Sequence, residues 1–66
     1  MKLADIIDDY HIKLYELNRS ISSPKMYGAM LYQGNAKLIK SPILHKRVFR
    51  IFDYKETLGY TVVIVE

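Results

Sequence analysis

The sequence predicts an α+β domain in which an N-terminal amphipathic helix packs on a four-stranded antiparallel meander, in the order αββββ. Three observations carry that prediction. Apolar residues recur at helical spacing near the N-terminus. The stretch "MYGAMLYQGNAKLIK" sets turn-prone residues between two apolar runs. The C-terminal "YTVVIVE" is the most β-branched segment of the chain.

The helix is expected over residues 3–19. Leu3, Ile6, Ile7, Tyr10, Leu14 and Leu17 form its apolar stripe. Asp5 lies in the first turn, where the helix dipole favours acids, and Arg19 lies near the end, where it favours cations. Asp9 stands four residues before Lys13, the better orientation for an ion pair along a helix. The "SISSP" of residues 20–24 ends the element.

Residues 26–32 and 36–40 read as a β-hairpin around Gln33, Gly34 and Asn35, which tolerate positive φ. Gly28 weakens its first strand and suggests a bulge or a close approach.

"SPILHKRVFRIF" (41–52) admits two readings. As a helix, with Ser41 as N-cap and Pro42 in the first turn, it gives αββαβ. As a strand over 47–53 it has poor helix propensity on its side, because residues 48–54 are β-branched or aromatic except for Arg50 and Asp53. It also supplies a neighbour for strand 60–65 through a loop at Lys55 to Gly59. The strand is the reading adopted, and pairing it with 36–40 completes the meander.

Strand 60–65 is apolar on both sides, with Tyr60, Val62 and Ile64 on one and Val63 and Val65 on the other. One helix covers one face of a sheet. The uncovered side therefore predicts a two-fold dimer through Val63, Ile64 and Val65.

A chain of 66 residues makes a single small domain, residues 1–66, of marginal stability. With no cysteine it has neither disulfides nor thiolate metal sites, so self-association is the expected staple. No apolar run reaches membrane-spanning length, and the acids of the first sixteen residues interrupt any signal-peptide core. A soluble cytoplasmic protein without membrane association is expected. Richness in Ile, Lys and Tyr suits a small accessory protein of an AT-rich genome, such as a phage or mobile element.

The net charge of +3 is segregated. Residues 1–16 carry −2, residues 17–50 carry +7 without a single acid, and residues 51–66 carry −2. Such asymmetry suggests an anionic partner.

Catalysis finds little to work with. No serine or threonine stands in a nucleophile motif, and the three glycines are too scattered for a phosphate loop. Asp8 with His11, and Asp5 with Asp9, share helical faces, but two ligands fall short of a metal site; a solvated surface pair explains the first and complementation of the helix dipole the second. Neither an enzyme nor a metal or cofactor is expected.

The constellation that remains is basic residues interleaved with aromatics: Lys37, Lys40, Lys46, Arg47, Arg50, Phe52 and Tyr54. In a 36–40/46–53 hairpin, Lys40 and Lys46 meet at the closed end. Lys46, Arg50, Phe52 and Tyr54 then share a face, with Lys37 and Arg47 opposite or at the edge. Like charges brought together are relieved by a polyanion, and rings on the same face offer planes for base stacking. The expected function is non-enzymatic nucleic-acid binding or regulation. The alternative is a protein-interaction module or inhibitor docking on an acidic partner. Against both stands the plain use of long basic side chains for solubility and edge protection. Of the six tyrosines, Tyr10 is expected in the core, and Tyr15, Tyr32 and Tyr54 at the surface.

Overall fold

The computed structural model describes residues 1–18 and 27–66. The expected end of the helix at Arg19, its stop at 20–24 and the start of the next strand at Met26 lie outside these residues. Four strands form one mixed sheet: β1 (His11–Leu17), β2 (Tyr27–Asn35), β3 (Val48–Tyr54) and β4 (Tyr60–Val65), in the order β2-β1-β4-β3. Short 3-10 turns at Leu3–Ile6, Ala36–Leu38 and Ile43–His45 are the only helical pieces among the described residues.

The N-terminal helix is the principal correction, and with it the α+β assignment, since among the described residues no helix longer than a short 3-10 turn forms. Asp8 supplies the physical reason. Its carboxylate accepts the Asp9 N–H at 2.8 Å and its carbonyl accepts the Tyr10 N–H at 3.0 Å. These amides are thereby withdrawn from the carbonyls four residues back, the competition by which aspartate breaks helices. Beyond that point "HIKLYEL" follows the period of a strand. Ile12 and Leu14 are buried, while His11, Lys13 and Tyr15 face the other way. The apparent stripe was a composite: Leu3, Ile6, Ile7 and Tyr10 reach the core from a turn and an extended segment, and Leu14 reaches it from a strand.

The meander is also corrected. β1 and β2 form one antiparallel hairpin, and β3 and β4 form another. The two join by parallel pairing of β1 with β4, Ile12 opposite Thr61 and Leu14 opposite Val63. The hairpin of 47–53 with 60–65 through the Lys55–Gly59 loop is present, and Gly59 adopts φ +81 there. The 26–32/36–40 hairpin is not. β2 runs extended through Gln33 and Gly34, and the chain turns only at Ala36, where the Asn35 side chain accepts the Lys37 N–H. Gly34 has φ +145, and a Cβ there would stand 3.0 Å from the Tyr32 hydroxyl, which itself donates to the Asn35 carbonyl. The glycine serves a close approach rather than a turn. The αββαβ alternative also fails, since residues 43–45 make only a single 3-10 turn.

One face of the sheet is covered. Leu3, Ala36, Ile39, Ile43 and Leu44, from the turns and the long β2–β3 connection, pack on Ile12, Leu14, Val63 and Val65. Leu3, Ile12, Leu14, Val63 and Val65 are 0% exposed. The N-terminal segment is tied down by Leu3 N–H to the Lys46 carbonyl and Val48 N–H to the Met1 carbonyl, both 2.8 Å.

The dimer expected through the face or edge of strand 60–65 finds no free surface there. β4 is paired on both edges, and Val63, Ile64 and Val65 are each 0% exposed within one chain. The strand is apolar on both sides because it is central, with neighbours and covering side chains drawn from its own chain.

Candidate functional site

Strand alternation assigns every strand residue to the covered face or to the open one. On β1 the open side carries Lys13 and Tyr15; on β4, Tyr60, Val62 and Ile64; on β3, Arg50, Phe52 and Tyr54. Direct partners in the register share a face, so Lys13 adjoins Val62, Phe52 adjoins Val62 from the other side, and Tyr54 adjoins Tyr60. Tyr27 of β2 reaches the same side, its ring 4.6 Å from that of Tyr15.

The result is a shallow groove of about 310 Å³ lined by Lys13, Tyr15, Tyr27, Phe52, Tyr54, Tyr60 and Val62. Five rings and one lysine line it. Phe52 and Tyr54 lie nearly parallel, 6° between planes and 6.3 Å between centroids, and Tyr54 tilts toward Tyr60 at the same separation. Lys13 Nζ sits 4.2 Å from the centroid of Tyr60, a cation–π contact that holds the amine in the groove.

The electrostatics of this face follow from the same parity. The acids within the strands are Glu16 and Asp53. Glu16 pairs with Val65 and Asp53 with Thr61, which puts both on the covered side. The strand residues of the open face therefore include Lys13 and Arg50 and no carboxylate.

Of the residues singled out from sequence, Arg50, Phe52 and Tyr54 are brought together on this face. Lys46 is not. It caps the 43–45 turn, with its amine 3.5 Å from the Glu66 carbonyl. Arg47 flanks β3 in an isolated bridge with Lys2. Lys37 and Lys40 are exposed on the connection that covers the opposite face. Sequence reading missed Lys13, Tyr15, Tyr27 and Tyr60 as site residues. A short signal was present: alternation over His11–Tyr15 is a strand pattern, broken at Glu16 and Leu17, and its outer phase is His11, Lys13 and Tyr15.

A smaller hollow of about 150 Å³ lies on the covered side, between Ile6, Tyr10, Ile51, Asp53, Lys55 and Thr61. The Thr61 hydroxyl is buried without a hydrogen-bond partner. Lys55 pairs with Asp53 at 3.7 Å and lies 5.1 Å from the centre of the Tyr10 ring. Burial, then the carboxylates of Asp8 and Asp53, raises the Tyr10 phenol above its ordinary range. Its hydroxyl donates to the Ile6 carbonyl at 2.9 Å. This is a structural corner of the core.

The acidic pairs read from helical spacing are likewise structural. Asp5 accepts the Lys2 N–H, and Asp9 accepts from the Asn35 side chain, each at 2.9 Å. Among the described residues no cluster of three or more His, Asp or Glu could hold a metal ion, and no helix is long and apolar enough to cross a membrane.

No family model, curated protein or solved structure matches this chain.

Proposed function

We propose that the chain binds single-stranded nucleic acid across the open face of its sheet, as a binding or regulatory protein rather than an enzyme. The observation that carries this reading is the composition of that face: five aromatic rings and Lys13 lining one groove, Arg50 on the same side of β3 outside it with its guanidinium over Phe49, and no acid among the strand residues of that face. Every nucleobase has a π-face, so rings on a sheet stack bases without demanding a sequence, while cations between them meet the phosphates. A duplex keeps its bases stacked on each other and offers the rings no partner, so single strands are preferred.

The test is fluorescence anisotropy with labelled single-stranded DNA, single-stranded RNA and duplex, over a salt series. Lys13 and Arg50 together should give a slope of log K against log salt of about −1.4, from roughly −0.7 per phosphate contact on single strands. Lys13→Ala should halve it. Lys37→Ala with Lys40→Ala should leave it unchanged, because both lie on the other side. Tyrosine emission should be quenched on binding, as the rings stack. Absence of binding at low salt sinks the proposal, and binding indifferent to salt sinks its phosphate component. An acidic protein recovered from lysate after nuclease treatment would favour the protein-docking alternative.

A further inference from the structure

The two outer strands of the sheet are treated very differently. β3 is guarded. Met1 and Lys2 run beside its start, with the Val48 N–H held by the Met1 carbonyl and Lys2 bridged to Arg47. It also carries Arg50 and Asp53. These are two devices by which natural sheets blunt an edge: a covering segment and charge. Among the described residues β2 has neither. It is the longest strand, nine residues from Tyr27 to Asn35, and none of them is charged. Its register shifts face β1, and no described residue pairs with its outer side. Its first four residues are exposed, Tyr27 at 43% and Met30 at 45%.

We infer that β2 is the site of self-association, pairing antiparallel with β2 of a second copy. Charge selects this occupant. The chain is net positive, and its other outer strand brings Arg50 and Asp53 to any contact. Pairing β2 with β3 of another copy would set those charges against an uncharged strand that cannot answer them. It would also leave a free β2 and a free β3 at the ends, a head-to-tail contact that grows into fibres. Pairing β2 with β2 opposes neutral residues with neutral residues and closes after two copies. The outer edges of the resulting eight-stranded sheet are then both guarded β3 strands.

The two-fold axis of such a pair stands perpendicular to the sheet, so both open faces point the same way. The aromatic groove of each copy then opens on the same side of the eight-stranded sheet. The inference does not depend on what that surface binds. It also supplies the staple that a cysteine-free chain of this size lacks.

The test uses the chain alone, without nucleic acid. In sedimentation equilibrium the mass should rise from the 7.8 kDa of one chain toward twice that value as concentration climbs through the micromolar range, and stop there. Ala29→Lys and Met30→Lys should weaken association by about tenfold or more, since each sets like charges across the two-fold. Ile51→Lys on β3 should not. Circular dichroism establishes that each variant is folded. On the unsubstituted chain, hydrogen exchange should slow with concentration at residues 27–35 and stay constant at 48–54. A monomer throughout the series, growth without limit, dissociation by Ile51→Lys, or exchange at 27–35 independent of concentration each overturns the inference.

Discussion

The two faces of the sheet are made by alternate residues of the same strands, yet they do different work. On the covered face Ile12, Leu14, Val63 and Val65 are 0% exposed and packed by the turns. On the open face Lys13, Tyr15, Phe52 and Tyr60 are only half-buried, and Tyr54 is 38% exposed. The covered face is aliphatic and holds the fold together by removing apolar area from water. The open face is aromatic and cationic, and rings standing at a surface stabilise the fold far less than their area would allow. A period of two thus separates an aliphatic, covered face from an aromatic and cationic one, with Ile64 the residue of the open side that is fully buried.

The largest effect that should distinguish the faces comes from Leu14→Ala. It should cost about 2–5 kcal/mol, enough to unfold much of so small a domain, as read by urea or thermal denaturation. A cost below about 1 kcal/mol would mean that Leu14 lies outside the core.

Tyr54→Ala, on the other face, should invert the pattern. Its stability cost should stay under about 1 kcal/mol, the loss of two ring contacts at the surface. Single-strand affinity should fall by about 1–3 kcal/mol, roughly 5- to 150-fold, for one lost base stack. A variant that unfolds without a specific binding defect would collapse the distinction between the faces.

Thr61→Val sharpens the description of the covered face. The hydroxyl is buried and unpartnered, so replacing it with a methyl of similar size should raise stability by about 1 kcal/mol. A loss would reveal a partner for that hydroxyl in the hollow beside Asp53.

Tyr10 should give the only change tied to pH. Its phenol is raised in the folded chain, first by burial and then by Asp8 and Asp53, so the folded state holds the proton more tightly than the unfolded state does. That contribution is complete below the ordinary tyrosine value of 10.0 and is lost as pH climbs through the raised folded value. Tyr10→Phe should cost about 1 kcal/mol at neutral pH, from the lost bond to the Ile6 carbonyl, and should flatten the alkaline decline in melting temperature. An unchanged alkaline slope would assign that decline to other groups.

How much of this was legible in the sequence differs from element to element. β3 and β4 were, because β-branched and aromatic residues crowd 48–54 and 60–65 and a glycine with positive φ turns the chain between them. The first strand was not. Leu3, Ile6, Ile7, Tyr10, Leu14 and Leu17 satisfy a helical period, whereas Ile12 and Leu14 alone satisfy the strand period, and the longer pattern outweighed the shorter. The consequence passed directly to the site. With Lys13 and Tyr15 placed on a helix, the basic and aromatic residues could gather only around 37–54, and most of the groove went unseen.

By itself the sequence determined the composition of the site and the strands that carry Arg50, Phe52 and Tyr54, because local propensity and alternation are properties of contiguous residues. It determined the segregation of charge as well. Only the tertiary structure decided that β1 is a strand lying parallel to β4, since that pairing joins residues some fifty positions apart and leaves no local trace. That contact makes β4 central, buries Val63, Ile64 and Val65 within one chain, and carries Lys13 and Tyr15 to Tyr60 and Phe52. It also leaves uncharged β2 at the rim. The faces of a strand are written in its own alternation, but which strands stand side by side is decided by which apolar faces can be covered together.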